Sequence, residues 1–137
     1  MTSKVHKSSE ATIAGRLAKA QQFMLAADTI SELAGDGDDL GDAYVTLCVH
    51  AGVAAADVLC CIALGEYVQG DDHNAAAAHL SRVRPEGGQL ASSLRTLLSM
   101  KARAGYGHTP VSSADLKRAQ RAARRLVEIA RERRLGT

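Results

Sequence analysis

The segment KARAGYGHTPVS, Lys101 to Ser112, carries the residue types in this chain best suited to chemistry. Arg103 and His108 stand with four residues between them, across the predicted end of a helix. A guanidinium fork can hold a phosphate through two parallel hydrogen bonds. An imidazole beside it can move protons near neutral pH. The pair suits cleavage of an RNA backbone without a metal, with His108 as general acid or base and Arg103 as electrostatic stabiliser. An Arg and a His at this spacing also arise often by chance. Lys101 and Arg95 on the same predicted helix, with Arg118 and Arg121 on the next, would form a basic groove for phosphates.

Other constellations are weaker. Thr46, His50 and Asp57 lie near one stripe of a predicted central helix, but seven residues place His50 and Asp57 roughly 10 Å apart along the axis. They can share a third group from another helix, or each can be satisfied separately by backbone, water or Arg. DDHN, Asp71 to Asn74, gathers two carboxylates and a His at a helix start, where a cap with a favourable dipole interaction explains them without a metal. Cys48, Cys60 and Cys61 fall in one apolar stretch and include no C-x-x-C pair, so they read as buried structural thiols. No Gly-rich phosphate loop, H-E-x-x-H, G-x-S-x-G or pair of Glu-x-x-His motifs occurs. Neither a metal nor an organic cofactor is expected.

The elements that must position these residues follow from composition. Of 137 residues, 46% are hydrophobic but only 3% aromatic, with no Trp and a single Phe. Alanine is abundant; it is the best helix former and a poor strand former. This predicts an all-α, single-domain helical bundle of four to five helices with a core of small and aliphatic side chains. Residues 1–9 read as a flexible N-terminus, 10–133 as the bundle and 134–137 as a frayed C-terminus. The chain has no uninterrupted apolar run of about 18 residues and no apolar signal core, so a cytoplasmic protein that does not engage a membrane is expected.

Helical periodicity predicts helices over about 10–34, 39–68, 73–83 and 89–104, and a last one starting at Ser112. In the central one, Gly52 with Ala51, Ala54, Ala55 and Ala56 leaves room for another helix to approach closely. GDGDD, Gly35 to Asp39, ends the first helix and offers caps for the second. Ser112 with Asp115 forms a capping box, and Val111 with Leu116 a hydrophobic staple. Charge is divided along the chain. Residues 101–137 hold ten Lys and Arg against three Asp and Glu, whereas residues 1–100 hold seven against twelve. A basic last segment fits nucleic acid or an acidic partner, and equally a solvated face that offsets an acidic remainder.

The order of these features resembles the HEPN domain family. The likeness covers roughly residues 10–133: DAYVTLCVHAGVAAADVLCCIALG, a polar loop with DDHNAAAAHL, a Leu-rich helix ending KARAGYG, then VSSADLKRAQRAARRLVEIA. HEPN domains are small helical bundles, and many are ribonucleases of toxin–antitoxin, phage-defence or CRISPR-associated systems. Their signature is an Arg, four to six residues, then a His, and two such sites usually meet across a homodimer. The resemblance therefore implies Arg103 and His108 as the catalytic pair. It also allows a second register, in which Lys101 takes the Arg position and Tyr106 the His position, as in members without the ribonuclease pair. Such members look like nucleotide-binding, RNA-binding or interaction modules, sometimes partnered by a nucleotidyltransferase-like protein. Two further readings stand beside this one: a non-catalytic helical dimerisation module, and a DNA-binding regulator using the Arg-rich last helix, for which no clear helix-turn-helix pair is present.

Overall fold

The computed structural model describes residues 4–34, 40–69 and 72–136. Five helices and one two-stranded sheet form the molecule: β1 (Lys4–Lys7), α1 (Glu10–Leu33), α2 (Gly41–Leu64), β2 (Glu66–Gln69), α3 (His73–Leu80), α4 (Gly87–Tyr106) and α5 (Ser113–Leu135). The expected all-α bundle is observed, with helix ends shifted by a few residues.

α2 is the centre, and α1, α4 and α5 pack around it. Its 24 residues are apolar enough to cross a membrane by length and composition, but most of them are buried inside the bundle. Val45, Cys48, Ala51, Ala55, Val58 and Leu59 are fully buried. A helix apolar on most sides is covered on most sides. Gly52 is the point of closest approach. A Cβ there would collide with the Cδ1 of Leu97 on α4 and lie 3.4 Å from the Cδ1 of Leu126 on α5. α2 ends at Gly65, whose φ of 73° is the left-handed conformation that glycine adopts without cost.

Within the N-terminal segment expected to be flexible, residues 4–7 form β1, the partner of β2. The two strands pair antiparallel with Lys4 opposite Gln69 and Lys7 opposite Glu66. The His6 and Tyr67 rings stack across the pair at 5.5 Å. The Ser8 amide continues the connection by donating to the Gly65 carbonyl at 2.9 Å. The strand then gives way to α1, which Ser9 caps by accepting from the Thr12 amide at 3.1 Å.

The expected turn at Pro85–Gly88 is shorter than predicted. Glu86 adopts a positive φ of 71°, and the helix begins immediately after it at Gly87. At Gly87 a side chain would meet the Ser81 carbonyl, so α4 can start here only with glycine. α5 continues to Leu135, two residues past the expected end of the bundle. Arg134 pairs with Glu10 at the start of α1, and Arg133 donates to the Pro85 carbonyl at 2.8 Å. The expected caps at Gly35–Asp39, and Asp71, lie outside the described residues.

Candidate functional site

Two pieces of local structure hold the Lys101–Ser112 segment. α4 runs through Tyr106 and closes with the Gly107 amide donating to the carbonyls of Ala102 and Arg103. The loop after it is pinned to the start of α2, where Asp42 accepts from the Val111 amide at 2.9 Å. The predicted capping box is present. Ser112 accepts from the Asp115 amide at 3.1 Å while Asp115 accepts in return from the Ser112 amide. Val111 and Leu116 both lie against Gly41, as a hydrophobic staple over this corner requires.

Among the described residues no hydrogen bond or ion pair joins Arg103 to His108. Arg103 is 58% exposed and faces Asp115, its Nη1 4.0 Å from Oδ2. His108 is exposed in the loop and makes no hydrogen bond among the described residues. The alternative register fares no better as a contact. Tyr106 is 87% exposed, and Lys101 turns the other way, its Nζ 3.4 Å from the Nε2 of His73 on α3. Two positions along a helix are roughly 200° around it. Lys101 and Arg103 therefore serve opposite sides of α4.

The expected basic groove takes a more definite form on the face between α4 and α5. Arg118, Arg121 and Arg125 of α5 stand across from Ser92, Ser93 and Thr96 of α4 around an open depression of about 240 Å³. Arg118 pairs with Asp115 at 3.4 Å. Arg125 donates to Glu86 at 2.9 Å and to Gln89 at 2.8 Å. Arg121 has no carboxylate partner among the described residues. Arg95 is exposed on α4 and does not line the depression. Ser92, Ser93, Thr96 and Arg125 were not singled out from sequence. Their signal was there to read: hydroxyls at i, i+1 and i+4 off the Leu stripe, and arginines at i, i+3 and i+7.

Several basic residues of the last segment are also partly occupied. Arg124 pairs with Asp28 at 2.8 Å, Arg125 with Glu86 and Arg134 with Glu10. The charge asymmetry of the sequence is thus in good part resolved within the fold. Exposed pairs of this kind contribute little and exchange readily, so they leave the guanidiniums open to a competing phosphate.

The other constellations separate as their alternatives allowed. Thr46 donates to the Asp42 carbonyl at 2.8 Å. His50 lies against the Phe23 ring at 5.3 Å. Asp57 accepts from Arg16, with both nitrogen contacts on Oδ2 at 2.8 and 2.9 Å. Burial pushes the Asp57 carboxyl up to about 6, against the lowering effect of Arg16. Asp72 caps α3 by accepting from the Ala75 amide at 3.0 Å. All three cysteines are free and buried; burial raises the Cys48 thiol to about 11 and Cys60 to about 12, which keeps them protonated and inert. Among the described residues no group of three or more His, Cys, Asp or Glu could hold a metal ion. No family model and no curated protein matches this chain.

Proposed function

We propose that this chain is a HEPN-like protein that binds the phosphates of RNA or of a nucleotide along the α4–α5 groove. The observation that carries the reading is the groove itself: three guanidiniums on one wall, three hydroxyls on the other, and Arg121 without an acidic partner among the described residues. Guanidinium forks and hydroxyls are the groups that hold phosphate oxygens, and such contacts position a strand without reading its sequence. A cytoplasmic role in a bacterial defence or toxin–antitoxin system, with a nucleotidyltransferase-like partner, follows from the resemblance alone.

Ribonuclease activity belongs to this proposal as a property of two copies. Within one protomer Arg103 faces Asp115 and His108 faces solvent, so a second protomer would have to complete the site. The same observation favours the second reading, a non-catalytic dimerisation module. Binding of a labelled single-stranded RNA across a salt series tests the first. Binding should weaken with salt, and Arg121→Ala should lower the slope of log K against log salt by about 0.7. Salt-independent binding, or an Arg121→Ala protein indistinguishable from the parent, would overturn it. For cleavage, His108→Ala should abolish turnover while leaving the melting temperature unchanged. Unchanged turnover in that variant removes the catalytic version.

A further inference from the structure

On the side of α4 away from the arginine groove, a cavity of about 210 Å³ lies between α2, α3 and α4. Val53, Leu94 and Leu98 supply apolar wall, and Lys101, His73 and Asp57 bring polar groups to it. The volume is below the roughly 300–1,000 Å³ of pockets that take drug-sized molecules, so the cavity suits a molecule of only a few heavy atoms.

The charges decide what kind. Asp57 is already matched by Arg16, and that pair is close to neutral as a unit. Lys101 is different. It is half-buried, it meets no carboxylate among the described residues, and its contact there is the imidazole of His73. An ammonium only donates, so in this contact His73 Nε2 is the acceptor. One ammonium proton is then used and two remain. A half-buried cation in that state gains most from an anion, and a single charge matches it. The other two histidines at the cavity are engaged elsewhere: His50 lies against the Phe23 ring at 5.3 Å, and His79, 7% exposed, has its Nε2 3.3 Å from the Glu66 carbonyl oxygen.

We propose that this cavity binds a small aliphatic carboxylate, its head on Lys101 beside His73 and its chain against Val53, Leu94 and Leu98. Apolar wall next to a few convergent polar groups is the general form of a small-molecule site. This site is independent of phosphate binding in the groove, because the two use different faces of α4.

The test is a titration of the intact protein with sodium butyrate, followed by NMR, with equal sodium chloride as the ionic-strength control. Saturable shifts at His73, Lys101 and Leu98 are expected, and n-butylamine and inorganic phosphate should leave those signals in place. Lys101→Met, which keeps length and loses charge, should weaken butyrate binding by about tenfold. The wild-type titration needs no variant to fold. Absence of saturation, equal response to butylamine, shifts confined to the α5 arginines, or undiminished binding in a folded Lys101→Met protein would each overturn the proposal.

Discussion

Asp57 shows how a single residue can set a pH response. Its carboxyl is buried beside Arg16, and desolvation outweighs the guanidinium, so its pKa rises from 3.8 to about 6. The folded state therefore holds a proton that the unfolded chain releases. Stability is fullest below pH 4 as far as this group is concerned and falls as pH rises through 6, by an amount on the order of 3 kcal/mol if the full shift is expressed. Urea midpoints measured from pH 4 to pH 7 should decline in the parent and decline less in Asp57→Asn. A parent whose midpoint rises steadily through that window would contradict the assignment. From sequence, Asp57 either shared a third group with His50 or was satisfied separately by backbone, water or Arg, and no particular Arg could be named. Arg16 is 41 residues away on α1, and no spacing rule connects them. The same limit applied to Lys101 and His73, 28 residues apart, which sequence placed in separate constellations.

At the scale of elements, what was legible followed local rules. The capping box at Ser112, the Leu stripe of α4 and the periodicity of α1 all lie within a few turns of chain, and each reappears in the structure. The β1–β2 pair did not announce itself. Its strands are four residues long and separated by the whole of α1 and α2, so neither periodicity nor a hairpin turn marks them. The start of α4 was missed for a related reason. Gly87 and Gly88 read as turn residues, whereas Gly87 is needed for its closeness to the Ser81 carbonyl and not for an unusual dihedral. Gly52 was read correctly as a site of close approach. Its consequence is testable: Gly52→Val should push Leu97 off its seat and cost about 1–3 kcal/mol, more than any gain in helix propensity. A thermal melt at or above that of the parent would show that α4 can yield there.

The whole molecule turns α4 into a partition. One of its faces meets α5 across an arginine-lined groove, another closes an apolar cavity with α2 and α3, and its end presents Arg103, Tyr106 and the His108 loop. Composition alone pointed to a core of small and aliphatic side chains, with room for another helix to approach α2 closely. Close approach is real along α2 at Gly52. At Val53, the next residue, and at Ala56, one turn on, the short side chains leave space beside α3. Small residues thus do two things in one helix, and which they do depends on whether the facing element comes near. The net charge of +2 is similarly the sum of a fold that pairs much of its basic last helix with carboxylates from α1 and the α3–α4 turn.

The pairing of Arg134 with Glu10 has a topological consequence. The first turn of α1 and the last turn of α5 touch, so the bundle is nearly a closed loop of chain. A flexible linker joining residue 136 to residue 4 would keep β1 in place, and new ends could be opened at the exposed residues 84–86. Such a circular permutant should keep the helical content and the single melting transition of the parent, because the bundle order is conserved and only a surface connection is cut. Loss of the cooperative melt would mean that the α3–α4 connection itself, and not the arrangement of the helices, is what the fold requires.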